Sequence, residues 1–299
     1  MKANWLIYAM LLPAIASLII FSYMPMPGVI MAFQQYSPRG GIFGSTWVGL
    51  RNFHFLFSLP EFWRVLNNTI IISLGRLLFE FPAAIILALL INEVRAKRFR
   101  RVVQTIYTFP HFLSWVIVAG ILTNVLRLDG LLNHVLVSIG LFDEPYGFLA
   151  RSDTFRFVLF STNIWKQAGW SAIIYIAAIA GIDSEMFEAA TIDGANRLQI
   201  MFFITLPAIM GTIMILFILA ISGILNAGFD QIFNMQNPII KDVSNIIDTY
   251  VYQITFERSP NYGFSAAVGL FKSVIGVFLL LMANFLSVKL TGSGLYMKK

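Results

Sequence analysis

Glu188-Ala-Ala-Thr-Ile-Asp-Gly-Ala-Asn-Arg-Leu-Gln-Ile-Met-Phe-Phe-Ile-Thr-Leu-Pro207 is a polar, glycine-broken segment set between two apolar runs long enough to cross a bilayer. A segment so placed is a loop at a membrane surface, open to a partner. Just upstream, Asp183 or Ser184 can cap a short helix. Met186, Phe187, Ala190 and Thr191 fall on one side of it, with Glu185 and Glu188 nearer the other. Gly194 permits a backbone reversal that a Cβ would hinder, and Pro207 fits the first turn of the following apolar helix, where a missing N–H costs nothing. The spacing therefore predicts an amphipathic helix along the membrane surface, a turn, and then a membrane helix. The plainer alternative is an ordinary solvated loop.

The composition agrees with a membrane setting. Hydrophobic residues make up 58%, charged residues 12%, and the mean hydropathy is +0.76; soluble domains carry roughly a quarter charged residues. A formal charge of +6 and a pI near 9.6 could suggest nucleic acid, but the basic residues gather at the ends of apolar runs, which concerns topology. No nucleic-acid partner is expected. Without cysteine there is neither a disulfide frame nor a thiolate metal site, and His54, His111 and His134 are too scattered for a ligand cluster.

Apolar runs near 6–33, 67–91, 103–126, 156–181, 206–226 and 267–289 predict an all-α integral membrane protein with six transmembrane helices. Pro13, Pro25 and Pro27 predict a kinked first helix, too long for a signal peptide. Arg95, Lys97, Arg98, Arg100 and Arg101 fill the connection after the second helix, and Lys2, Lys289, Lys298 and Lys299 mark the ends, so both termini and segment 182–207 are expected in the cytosol. Segments 34–66, 127–155 and 227–266 then face outward; Arg39, Arg51, Arg64, Arg127, Arg151, Lys241 and Arg258 weaken this bias without reversing it. In the last of them, Ile246, Ile247, Tyr250, Val251 and Ile254 recur at helical spacing and predict a short interfacial helix. The division reads as residues 1–66, a first helix with its external loop, and residues 67–299, a core carrying the loop at 182–207.

The quoted stretch resembles the EAA loop of ABC importer permeases, in which Glu188-Ala189-Ala190, Asp193-Gly194-Ala195 and Leu206-Pro207 recur at this spacing. The family often has a second proline where Gly211 stands, which leaves the start of the next helix open. Val48-Gly-Leu-Arg-Asn-Phe53, Thr108-Phe-Pro-His-Phe-Leu-Ser-Trp115, Asn226-Ala-Gly-Phe-Asp-Gln-Ile-Phe233, Ile247-Asp-Thr-Tyr-Val-Tyr252 and Ala267-Val-Gly-Leu-Phe-Lys-Ser273 resemble the oligosaccharide and polysaccharide branch, which includes permeases for alginate and rhamnogalacturonan fragments. The resemblance implies a type I importer permease, with a five-helix core plus an N-terminal helix as in the maltose and methionine permeases, in a bacterial cytoplasmic membrane. It also implies a second homologous permease, an ATPase dimer that holds ATP-Mg, and an extracytoplasmic solute-binding protein that delivers an oligosaccharide. Glu188, Ala189, Ala190, Asp193, Gly194 and Pro207 are the positions it implies for ATPase coupling.

Polar residues inside the apolar runs are the remaining candidates. Arg76 and Glu80 share a helix face and can pair, a structural reading, because pairing offsets much of the cost of a charge in hydrocarbon. Asn163, Lys166, Gln167 and Trp170 form a stripe at i, i+3, i+4 and i+7; Ser222 and Asn226 repeat the pattern, and Lys272 adds a cation. Amides and indoles are groups that bind sugars, so Asn163, Gln167, Trp170, Ser222, Asn226 and Lys272 are candidates for a substrate pathway; equally, they can bond helix to helix. No Gly-x-x-x-x-Gly-Lys-Ser/Thr run occurs, so the energy comes from another subunit, and no catalytic arrangement or cofactor is expected. The alternatives are a permease of the same superfamily for phosphodiesters or amino acids, an ion-coupled secondary transporter, for which Glu80 is the one central acid, and a membrane-embedded enzyme.

Overall fold

The computed structural model describes residues 5–257 and 260–291, so Lys2, Arg258, Lys298 and Lys299 lie outside the described residues. The described chain is nearly all helical, with one antiparallel pair of two-residue strands, β1 (Gln34–Gln35) and β2 (Thr46–Trp47), joined in the register Gln34 to Trp47. The principal helices are α1 (Trp5–Leu18), α2 (Arg51–Ser58), α3 (Pro60–Asn92), α4 (Lys97–Thr108), α5 (Trp115–Leu126) and α6 (Leu131–Ser138). They are followed by α7 (Ser152–Ala180), α8 (Ser184–Ile192), α9 (Arg197–Ala208), α10 (Met210–Ser222), α11 (Phe229–Met235), α12 (Ile247–Tyr252) and α13 (Tyr262–Thr291). Four stretches are long and apolar enough to span a bilayer on their own, at Tyr8–Phe33, Pro60–Asn92, Trp115–Ser138 and Tyr262–Lys289. Two bent pairs, α7 with α8 (74°) and α9 with α10 (61°), bring the number to as many as six.

Three features depart from the sequence reading. The run at 103–126 is not one helix: it divides into α4 and α5 around a 3₁₀ turn at Phe109–Phe112, and Ser114 caps α5 by accepting from Ile117 N at 3.3 Å. Pro110 contributes by removing a backbone donor, and the chain becomes extended at Leu113 and Ser114 (ψ 138° and 151°). The predicted interfacial helix forms as α12, but Ile246, Ile247, Tyr250 and Ile254 are buried, so it is an interior element. Thirdly, the helix before Pro207 begins well upstream: Asn196 and Gln199 form a reciprocal capping box at Arg197, a π turn follows at Met201–Thr205, and the bend falls at Ile209. In the first span, the α-helix contains Pro13 and gives way to a π turn at Ile19–Tyr23 and a 3₁₀ segment at Met26–Phe33, where Pro27 sits.

The chain groups into two units, one of Met1–Trp63 with Tyr250–Val274 and one of Arg64–Thr249 with Ile275–Lys299. The stretch 250–274 groups with the N-terminal part of the chain. That grouping rests on aromatic packing of Phe57 and Phe62 with Phe271, and of Phe55 with Phe264, and on Asn52 Nδ2 donating to the carbonyls of Ala32 and Gln34. The larger unit has two apolar clusters. One joins Ile72, Phe155, Leu159, Ile232 and Ile240; the other joins Ala88, Ile91, Tyr175, Ile179 and Ile213.

Helix α7 is the centre of this unit, and glycine fixes how closely its neighbours approach. A Cβ at Gly169 would overlap the Tyr107 carbonyl at the end of α4, and one at Gly75 would strike the Phe160 ring. Gly169→Ala should therefore destabilise the fold by about 1–3 kcal/mol through overpacking. Gly211→Ala, which meets nothing within 4 Å, should leave the melting temperature of the purified protein near that of the parent. Thermal unfolding of both variants in the same detergent checks the difference.

Candidate functional site

The loop at 182–207 is built from three local devices. Asp183 caps α8, its carboxylate accepting from Glu185 N at 3.0 Å. At the other end Gly194 takes φ +80°, Gly194 N donates to Thr191 O, and Ala195 N reaches back to Ala190 O at 2.9 Å, a Schellman closure that needs the left-handed residue glycine tolerates best. Asn196 then caps α9 at once, so two helices meet at a turn with few unsatisfied backbone groups. Ala190 is buried and Phe187 half-buried, whereas Glu188, Ala189 and Asp193 are exposed, as are Met186 and the 86% exposed Ile192. Glu185, Glu188 and Asp193 form no ion pair among the described residues. A small hollow lined by Asp193, Gly194, Gln199 and Phe203 lies beside the turn. Pro207 stands in the last turn before the bend at Ile209.

A cavity of about 390 Å³ lies in the same unit, enclosed by α3, α7 and α10. Its lining includes Arg76, Glu80, Asn163, Gln167, Trp170 and Asn226, together with apolar Phe81 and Ile174. Arg76 Nε is 3.7 Å from Glu80 Oε1, with side chains 16% and 17% exposed. Neither of those two atoms makes a hydrogen bond among the described residues, so the pair is completed elsewhere: Asn163 Nδ2 donates to the other Glu80 oxygen, and Arg76 donates to the Gln231 amide oxygen on α11. Gln231 in turn donates to Leu159 O at 2.8 Å and to Thr162 Oγ1 at 2.9 Å on α7. Gly228, at φ +84°, turns the chain into α11 at a point where a Cβ would overlap the Arg76 guanidinium. The ion pair thus ties three elements together.

The polar stripe of α7 divides its work. Asn163, Gln167 and Trp170 border the cavity, but Gln167 Oε1 also lies 2.7 Å from His111 Nδ1, and the Trp170 ring stacks on the His111 ring at 4.4 Å and 2°. Lys166 points away, donating to the His111 carbonyl at 2.7 Å and lying over the Trp115 ring. These contacts pin the break between α4 and α5. Asn226 lines the cavity, is exposed, and has no side-chain hydrogen bond among the described residues. Ser222 and Lys272 are not among the lining residues: Ser222 bonds back to Leu219 O at 2.7 Å, and Lys272 belongs to the other unit. His111, Gln231 and Gly228 were missed as site residues by sequence reasoning. All three lie inside runs that carry the family resemblance, Thr108–Trp115 and Asn226–Phe233, but those runs gave them no role.

Residues 80–292 match the family described as binding-protein-dependent transport system inner membrane component. The chain belongs to that family. As a member of it, the chain is a multi-pass transport permease rather than an enzyme. It is 43% identical to the protein LplB of Bacillus subtilis, over 99% of this chain and 92% of that protein. It is likewise 43% identical to the polygalacturonan/rhamnogalacturonan transport system permease protein YteP of the same organism, over 97% and 90%. A chain of the crystal structure of a bacterial alginate ABC transporter, in complex with alginate pentasaccharide-bound periplasmic protein, superposes with a TM-score of 0.89 at 40% identity, covering 98% of each chain. The permease therefore has the type I ABC importer fold.

Within this permease, the ion pair makes a direct test of the network. Glu80→Gln or Arg76→Gln alone leaves one buried charge without its partner, so each single change should cost about 3–5 kcal/mol, while the double change should recover much of the loss. Melting of the purified single and double variants gives the comparison.

Proposed function

We propose that this permease is one of two transmembrane subunits of an ATP-driven importer for oligosaccharides or polysaccharide fragments. The observation that carries the sugar assignment is the cavity bordered by Asn163, Gln167, Asn226 and Trp170, in a chain 43% identical to a polygalacturonan/rhamnogalacturonan permease. Planar amides suit paired hydroxyls, and an indole suits the C–H face of a sugar ring. A second homologous permease completes the pathway, and an extracytoplasmic binding protein delivers the sugar, as the alginate transporter with its periplasmic protein suggests.

Coupling is assigned to the loop. Exposed Glu188 and Asp193, the neighbouring apolar Met186 and Ile192, and the turn at Gly194 offer a docking surface for an ATPase dimer, which binds ATP-Mg. ATP closes that dimer, the two coupling helices approach, and the outer end of the bundle opens to receive sugar: alternating access driven from α8. The loop and both termini face the cytosol of a bacterial cell, on the side of the basic run at Lys97–Arg101.

Uptake of a labelled galacturonan or rhamnogalacturonan fragment into proteoliposomes holding both permeases, the ATPases and the binding protein tests the reading; uptake that is indifferent to ATP or to the binding protein would overturn it. Asn226→Ala is the cleanest pathway variant, because Asn163 and Gln167 also hold neighbouring elements. It should weaken half-saturation for sugar about two- to tenfold, the worth of one lost hydrogen bond, with assembly and melting unchanged. Gly194→Val has open space within the chain but a left-handed backbone to sustain, so it should keep the permease folded while sharply lowering ATPase association and uptake. For topology, the cysteine-free chain permits single cysteines at Lys97 and at Ile239, which is 70% exposed; an impermeant thiol reagent should reach only the second from outside.

A further inference from the structure

A second hollow, of about 410 Å³, has no place in the sugar pathway or in coupling. It runs along α4 and its 3₁₀ extension, and its lining residues on that element are Arg101, Gln104, Thr105, Thr108, Phe109 and Phe112, spaced by three and four, so they form one continuous helix face. Ile173 of α7 closes the inner wall. The chemistry changes in one direction along this groove. A cation stands at the Lys97 end, an amide and two hydroxyls follow one to two turns further in, and two phenyl rings complete it. From Arg101 to Phe112 is roughly 15–20 Å at helical rise, about the hydrocarbon depth of one leaflet.

Two observations point to a ligand. Thr108 Oγ1 is buried in the groove wall without a hydrogen-bond partner among the described residues, a cost in an apolar setting that a bound acceptor would remove. At the mouth, Arg101 is exposed, and no ion pair among the described residues engages it. On the flank away from α7, Phe99, Val102 and Ile106 are 53–62% exposed, as a helix bordering lipid requires.

We propose that this groove holds one anionic phospholipid of the leaflet at the Lys97 end. Its phosphate pairs with Arg101, its ester carbonyls accept from Gln104 and Thr108, and an acyl chain lies along Phe109 and Phe112. Thr105 has already given its proton to Arg101 O at 2.9 Å and contributes only as a wall. The order of cation, donors and rings matches phosphate, ester and chain, which a sugar or a free phosphate would not use in full. Because Tyr107 of the same helix rests against Gly169, with Gln167 and Trp170 close by on α7, the lipid braces the segment whose break borders the sugar cavity.

Native mass spectrometry of the assembled transporter, extracted from membranes containing phosphatidylglycerol and phosphatidylcholine, tests this. The parent should retain one phosphatidylglycerol per copy of this permease, in preference to phosphatidylcholine. Arg101→Gln should lower that occupancy about fivefold, the worth of one cation at a membrane surface; Arg101→Lys should restore most of it, and Arg98→Gln, outside the groove, should not change it. Thr108→Val keeps the volume and removes the donor, and should lower retention without lowering the melting temperature. Equal retention in the Arg101→Gln and Arg98→Gln proteins would overturn the assignment. So would a disulfide from a cysteine at Phe112 to the second permease, which would show that protein covers the groove.

Discussion

A helix break inside a membrane is permitted only where some group pairs the backbone atoms it releases, because hydrocarbon offers no partner. In this permease that requirement is met by one polar edge on α7. Lys166 takes the carbonyl freed at His111, Gln167 and Trp170 hold the His111 ring, and Leu159 and Thr162 receive the amide of Gln231. Asn163 completes the carboxylate of Glu80. Three irregularities, the break between α4 and α5, the buried ion pair and the seat of α11, therefore lean on a single helix.

That dependence explains why the candidate sugar residues carry double duty. A polar side chain in a membrane span costs free energy unless it is bonded, so a cavity lined with idle amides would be an unstable design before any substrate arrived. Here Asn163 and Gln167 already have partners within the chain and offer the cavity only what those partners leave over. Asn226 is different: it sits in the segment between α10 and α11, exposed to the cavity and without a partner among the described residues. Bonding to a neighbouring element and lining of the cavity are combined in Asn163 and Gln167, while Asn226 only lines it.

The parts legible in the sequence are those fixed by neighbours a few residues apart. The cap at Asp183, the left-handed turn at Gly194, the pairing distance of Arg76 and Glu80 and the stripe on α7 all follow from short-range geometry. What the sequence withheld depended on contacts between residues tens of positions apart. The run 103–126 has the right length and apolarity for one span, and only Pro110 argues otherwise; whether its break survives depends on Lys166, which lies 55 residues from His111. Gln231 meets Arg76 across 155 residues. The periodicity at Ile246–Ile254 gave a helix but not its surroundings, since a protein interior and a lipid surface select the same apolar side chains.

The same helix links the loop at 182–207 to the cavity. Helix α8 leaves α7 at 74° across Gly181–Asp183 and is closed by Gly194 against α9, which bends again by 61° at Ile209. A helix held across the line of its own membrane span presents its side, with Glu188 and Ile192 outward, rather than its end. Any displacement of α8 must therefore pass into α7 through one connection and into α10 through the other, and α3, α7 and α10 are the walls of the cavity. Packed interfaces move between discrete arrangements rather than deforming smoothly. A shift of α7 consequently acts on the Glu80, His111 and Gln231 contacts together, and these are the contacts that set the shape of the space around Trp170 and Asn226.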